Sequence, residues 1–311
     1  MRPQFSIIFF TTLVGMAQGL LFFIALANLH NQSIPNAFLA NLALPVAFAI
    51  LALSLIASFF HLGHPERAWR AAMMWRTSWL SREVIALPAV MAVTVVIFLY
   101  ASFGEVPQWL WIVLLLTTIV LWICTAKIYQ CIRFIQEWSH PSTLTNFILL
   151  GATSGWILLE LLIALWGDTS AQMIDAPLSV IAFVLLFLSL NLKLWIWSRN
   201  RKLKPKSNLA TATGIKGNNI RQTSMGLMGG SFNTREFFHH QTDKVIANIR
   251  KIILLCAYVI PMILMAYAIT SPDFLVITLA LLINYLGLLA ERWMFFAEAN
   301  HPQNLYYQRV S

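Results

Sequence analysis

The sequence predicts an all-α integral membrane protein: a bundle of eight transmembrane helices, one membrane domain over residues 1–311, with both termini cytoplasmic. Three observations carry this. With 59% hydrophobic and 11% charged residues and a mean hydropathy of +0.71, the composition excludes a soluble globular chain. Eight apolar runs approach the roughly 20 residues that cross a bilayer as a helix, twice the length of a barrel strand. All 21 Lys and Arg residues fall on one side of those runs.

The first run spans about Phe5 to Leu29 and the second Phe38 to Phe60. The third is about Val84 to Ala101, the fourth Pro107 to Ile128, and the fifth Thr143 to Trp166. The sixth is about Asp175 to Trp197, the seventh Ile252 to Ile269, and the eighth Phe274 to Phe296. The N-terminal run lacks a small-residue cleavage signature and reads as a retained span. Gly15 and Gly19, four apart within it, permit close helix packing.

Basic residues sit at Arg2, in the second connection (Arg67, Arg70, Arg76, Arg82) and in the fourth (Lys127, Arg133). Twelve more lie between Lys193 and Lys251, and Arg292 and Arg309 complete the set. The odd-numbered connections carry only acidic charge, at Glu105, Asp168, Asp175 and Asp273. By the positive-inside rule the even connections face the cytoplasm, so the net charge of +9 is a topology signal and argues against nucleic-acid binding. Trp75, Trp79, Trp109, Trp111, Trp195 and Trp197 cluster at span ends as an aromatic belt. Trp69 or Trp75 would also suit stacking on a flat ligand.

The polar chemistry concentrates between His61 and Arg70, which follow the second run directly and hold two imidazoles, a carboxylate and two guanidiniums. Pro65, without an amide donor, keeps the preceding helix from continuing. This stretch suits an interfacial pocket that moves protons or binds a polar ring; it would equally serve as a charged turn anchoring a helix end. Glu83 opens the third span on the same face, where it could accept a proton while facing the bundle.

Within the spans, Glu160 and Glu291 stand out, because a charge at mid-bilayer costs at least about 2.5–3.5 kcal/mol. Glu160 lies roughly 9 Å from a span end, near enough to reach the outer interface. Glu291, beside Arg292, is level with the His61 stretch, where the two either pair structurally or join a site. No histidine lies deep in a span, so no haem is expected; Cys124, Cys131 and Cys256 lack the spacing for an iron–sulfur cluster or a disulfide framework. An electron carrier without metal would need an organic redox ring, a quinone.

The sixth connection, about residues 198–251, is the one long polar segment. It opens on Arg199, Arg201, Lys202 and Lys204 and later reads Asn233-Thr234-Arg235-Glu236-Phe237-Phe238-His239-His240. Asn233 or Thr234 could cap an amphipathic helix running toward the seventh span. The basic residues, with Arg235, suit a docking surface for a soluble partner, or contact with anionic lipid. Adjacent His239 and His240 splay apart on a helix, so no metal site is expected.

The motif His61-Leu62-Gly63-x-Pro65-x-Arg67-Ala68, followed by Leu80-Ser81-Arg82-Glu83, resembles the membrane anchor subunits of dimethyl sulfoxide reductase-type molybdoenzymes. The likeness extends over nearly the whole chain, from Ser6-Ile7-Ile8-Phe9-Phe10-Thr11-Thr12 to Glu291-Arg292-Trp293-Met294-Phe295-Phe296-Ala297-Glu298-Ala299. It is nearest to the branch that anchors cytoplasmic sulfite dehydrogenases.

The resemblance implies an inner-membrane anchor that takes electrons from an iron–sulfur subunit, itself fed by a molybdopterin subunit, and passes them to ubiquinone or menaquinone. It gives His61, Arg67 and Glu83 as the matching site positions; His64 and Glu66 stand at variable ones. A ring carbonyl would bond to His61, with His61 and Glu83 passing protons to cytoplasmic water. Arg67, Arg70 or Arg76 would stabilise negative charge on a ring oxygen. Two alternatives stay open: the anchor of a terminal reductase taking electrons from menaquinol, and a secondary transporter. The latter would carry inverted repeats and mid-membrane polar residues.

Overall fold

The computed structural model describes residues 3–30, 34–60, 64–167, 177–217, 219–221, 223–224, 239 and 241–302, with Pro65 as backbone alone. His61, Arg235 and the expected caps Asn233 and Thr234 lie outside the described residues. Among the described residues eight helices are long and apolar enough to cross a membrane: α1 (Phe5–Leu29), α2 (Asn36–Phe59), α3 (Trp79–Phe103), α4 (Gln108–Gln130), α5 (Pro141–Trp166), α6 (Leu178–Arg201), α7 (Asp243–Thr270) and α8 (Phe274–Ala297). No strand occurs among them.

The helices outrun the apolar runs that predict them because polar caps extend them past the hydrocarbon. Helix α3 starts at Trp79, where the Ser78 hydroxyl accepts from Ser81 N, so Glu83 sits inside the helix instead of opening it. Helix α7 starts at Asp243 behind Thr242, whose side chain accepts from Val245 N. The expected helix start at Asn233 or Thr234 lies outside the described residues, and His239, Gln241 and Thr242 before α7 are not helical.

Two helices widen just before a proline. A π turn at Leu39–Ala43 precedes Pro45, and another at Ile253–Val259 precedes Pro261. Proline supplies no amide to the carbonyl four residues back. For Pro261 that carbonyl is Ala257 O, and it accepts instead from Asn284 Nδ2 of α8 at 2.7 Å. In lipid such a carbonyl has no water to turn to, so a neighbouring helix must complete it.

The core is the α1–α5 pair. In their most apolar windows 67% of α1 and 78% of α5 is buried, against 28–50% elsewhere. Gly15 and Gly19 of α1 meet Gly151 and Gly155 of α5 so closely that a Cβ built on Gly19 would strike Gly151 O, and one on Gly155 would strike the Gly19 backbone. Van der Waals contact of this kind replaces the hydrophobic drive that lipid removes.

Cross-links fix the parity of the connections. At one face Arg199 Nη2 donates to Gln136 O (3.0 Å), Gln136 Nε2 to Lys204 O (3.1 Å), and Asn300 Nδ2 to Glu137 Oε1 (3.0 Å). The fourth and sixth connections and the end of α8 thus meet together. At the opposite face Asn36 Nδ2 donates to Gly104 O (2.8 Å), joining the first connection to the third. Trp75, Trp109 and Trp195 are exposed at helix ends, whereas Trp111 and Trp197 turn inward. Glu160 also turns inward: it is 4% exposed and accepts a bond from Ser179 Oγ at the start of α6.

The glycine contact gives a direct test. Gly155→Ala forces two backbones apart and is expected to cost about 1–3 kcal/mol or more, read as a lowered thermal midpoint in detergent. Gly104→Ala, with open space around its Cβ position, should leave the midpoint unmoved.

Candidate functional site

The second connection returns to the membrane as a 3₁₀ helix, Pro65–Met74. It is amphipathic and largely exposed, as its charged sequence dictates. His64 Nδ1 lies 3.0 Å from Glu66 Oε1, with Arg67 Nε at 3.7 Å on the same oxygen. The Arg70 and Arg76 guanidiniums lie over the rings of Trp69 and Trp75 at 5.5 and 5.4 Å. Arg82 fastens the connection to α3: Nε donates to Trp75 O (2.9 Å), Nη2 to Arg76 O (2.8 Å), and the guanidinium lies 4.2 Å from the Trp79 ring centre. Thus His64, Arg67, Arg70 and Arg76 stay at the aqueous surface, and Arg82 stands at the boundary.

Below them Glu83 is 5% exposed, four residues and roughly 6 Å inside α3. Its carboxyl sits beside the Thr125 hydroxyl of α4, yet neither Glu83 Oε1 nor Thr125 Oγ1 completes a hydrogen bond. Tyr129, one turn beyond Thr125, lies within the fields of both Glu83 and Arg292. Its ring is packed by Trp138, Phe147, Phe295 and Phe296.

On the lipid side of α3 and α4 lies a cleft of about 550 Å³. Trp75, Trp79 and Arg82 rim it, Ala86 and Ala89 leave it room, and Val120 and Cys124 close the α4 wall. Its lining is apolar below the rim, and the exposed Ile85, Leu116 and Val120 show that it opens sideways. Glu83 is one turn from Ala86 and points behind the cleft, into the bundle. The volume falls within the roughly 300–1,000 Å³ of small-molecule sites.

Glu291 and Arg292 form a separate, paired layer. Glu291 Oε1 accepts from Lys193 Nζ (2.7 Å, α6) and Asn146 Nδ2 (3.0 Å, α5), while Arg292 Nε is 3.6 Å from Glu291 Oε2. The Arg292 guanidinium lies 3.6 Å from the Phe147 ring centre. Glu291 and Lys193 are 0% and 2% exposed, so their attraction is little screened and their desolvation cost is large. Of the residues expected at one site, Glu83 and Arg292 come together around Tyr129 and Glu291 adjoins them; the exposed arginines do not join them.

Sequence reasoning misses Lys193, Thr125, Gln18 and Asn146. Lys193 lies four residues inside the expected sixth span, yet a count of charge by side places it with the basic connection; a lysine at that depth is itself the signal. The others are small or neutral and give none. At the expected docking surface Arg201, Lys202 and Lys204 are exposed. Arg199 is committed to Gln136 O and Asn200 Oδ1.

His140 caps α5, its Nδ1 accepting from Ser142 N at 3.1 Å. Burial and then the Arg199 charge hold its pKa below the usual 6.5. The acceptor is present above pH 6.5 and is lost as pH falls through the lowered value, so stability should decline over that window. His140→Asn keeps an acceptor that does not titrate, and its melting curves should lose this pH dependence. Lys193→Met, which removes the shorter of the two cation contacts on Glu291 and leaves Arg292, should cost about 3 kcal/mol or less in chemical or thermal unfolding. Arg250→Ala, which breaks the partly exposed pair with Glu298 (3.0 Å), should cost about 1 kcal/mol or less.

The sequence profile of the DMSO reductase anchor subunit (DmsC) matches residues 1–298. The chain is also 42% identical to the C subunit of the sulfite dehydrogenase of Allochromatium vinosum, with 100% of each chain covered. With eight helices fit to span a membrane, an interfacial connection leading into a buried carboxylate, and a profile match along almost its whole length, this multi-pass membrane protein belongs to the DMSO reductase anchor subunit family.

Proposed function

We propose that this chain is the quinone-reactive anchor of a cytoplasm-facing molybdopterin and iron–sulfur oxidoreductase in the bacterial inner membrane, passing electrons from sulfite oxidation to the quinone pool. One observation carries the reading: Glu83, a buried carboxylate with an uncompleted oxygen, stands behind a cleft open to lipid and adjoining the basic face. A quinone is a flat polar ring on a long apolar tail. The cleft suits the tail, its tryptophan and arginine rim suits the ring, and Glu83 is the buried carboxylate one turn from the cleft wall at Ala86.

When bound, a quinone supplies two-electron chemistry that also takes up two protons. The residues of this chain bind, orient and protonate. Trp75 and Trp79 offer aromatic faces at ring depth, and Arg82 offers a fixed cation. Glu83 holds a proton at a carboxyl oxygen, and His61 serves as the second proton group by its family position. Arg67, Arg70 and Arg76 set a positive field over the entrance. Arg201, Lys202 and Lys204 stand free to meet an acidic face of the iron–sulfur partner.

Two further facts support sulfite oxidation on the cytoplasmic side. The relative matched from end to end is named as part of a sulfite dehydrogenase. In the sequence, the Lys and Arg residues of the connections all fall in the even-numbered ones, which the positive-inside rule assigns to the cytoplasm. The family name favours one second reading, a terminal reductase in which the same residues take electrons from menaquinol.

In the assembled complex, Glu83→Gln is expected to lower quinone-linked turnover by about 100-fold or more, with turnover by an artificial soluble acceptor retained. Wild-type quinone turnover in that variant would remove Glu83 from the reading. Loss of both activities would show an assembly role instead.

A further inference from the structure

Behind Glu83, on the side away from the cleft, α1, α4, α5 and α8 enclose a second, much smaller space of about 10 Å³. Gln18, Trp122, Thr125 and Arg292 line it, and each is at most 4% exposed. Gln18 Nε2 and Oε1, Trp122 Nε1, Thr125 Oγ1 and Arg292 Nη1 all lack a hydrogen-bond partner there. Each unpaired buried polar atom costs about 1–3 kcal/mol, and five around one space are not tolerated by chance. The space is too small for a ring. It fits about one water, which needs two to four polar partners and finds both donors and acceptors here.

The unpaired atoms continue in both directions. On one side the Thr125 hydroxyl adjoins the Glu83 carboxyl. On the other, Arg292 Nε approaches Glu291 Oε2, itself without a hydrogen bond. Glu291 Oε1 then meets Lys193 and Asn146, which line a third cavity of about 20 Å³ reaching Asn200 and Glu298 at the basic face. Toward the opposite face the way is shut, because Gly15 and Gly19 press on Gly151 and Gly155.

We propose that these two cavities hold bound water and form, with Thr125, a proton relay that resupplies Glu83 from the basic face by a route separate from the second connection, past the charged Lys193, Glu291 and Arg292. This rests on the quinone reading above. In each cycle Glu83 gives up the proton on its carboxyl, and Oε1 takes the Thr125 hydroxyl proton. Thr125 regains one from the cavity water. That water is restored in turn by a proton passed from the water of the third cavity, so one solvent proton is consumed. Lys193, Glu291 and Arg292 keep their charges throughout and orient the water. The glycine seam confines the exchange to one side of the membrane.

Two measurements decide it. A cryo-electron microscopy map of the whole complex, fine enough to show ordered solvent, should place water on Gln18 and Arg292 and in the cavity beside Lys193; dry cavities overturn the proposal. In the assembled complex, Thr125→Val should lower quinone-linked kcat several-fold, leave the quinone KM unchanged and raise the solvent deuterium isotope effect, with Thr125→Ser restoring all three. Wild-type kcat and isotope effect in Thr125→Val overturn the relay. If Glu83→Gln still abolishes quinone turnover, the relay alone has failed; if Glu83→Gln is also silent, the quinone reading has failed with it.

Discussion

A carboxylate in hydrocarbon has to be neutralised or held by donors, and the bonds at Glu291 organise one half of this bundle. A single oxygen gathers Lys193 from α6 and Asn146 from α5 onto α8, within 3.0 Å. Three helices that lipid alone would not draw together are thereby fixed in register. The pair also places Arg292, whose guanidinium is pressed on Phe147 and turned toward the space beneath Thr125. Replacing such a pair by apolar residues of similar volume is often neutral for stability. Its use here is therefore positional: it holds a permanent cation one layer from Glu83, across Tyr129, that the membrane would otherwise exclude.

The glycine contact of α1 and α5 organises the other half. Because no side chain stands between the two backbones, Gln18 is fully buried and lines the same small cavity as Trp122. A bulkier seam would push α1 outward and open the internal cavity to the opposite face. Fold and function meet at this point, since the seam that gives the bundle its core is also what makes the polar interior one-sided.

Span number and parity are legible in the sequence because both follow from bulk energetics. Some twenty apolar residues must be a helix in lipid, and cationic side chains are retained on one face. The interior is not legible. When every face of a helix is apolar, no periodicity separates the side that meets lipid from the side that meets protein, so nothing in the sequence says that Thr125 faces Glu83 or that Trp111 is buried while Trp109 is exposed. Helix ends mislead for a related reason. Ser78 and Thr242 begin their helices outside the hydrocarbon, which draws Glu83 into a span and starts the seventh helix at Asp243, ahead of the apolar run at Ile252. Lys193 escapes any reading that sorts charge by side without asking at what depth each residue stands.

The three buried carboxylates show why Glu83 is the one to carry chemistry. Glu291 is saturated on one oxygen by a lysine and an asparagine and faces an arginine with the other, so its charge is committed to structure. Glu160 is bonded to Ser179 near the opposite face and forms no ion pair among the described residues. Glu83 has a hydroxyl beside it, an arginine held one layer away, a lipid-open cleft on one flank and unpaired polar atoms on the other. A carboxyl without an ion pair rests with its proton and can hand it on, whereas Glu291 is held as a carboxylate by its cations. Burial alone therefore does not pick out the working group; the number of uncommitted neighbours does.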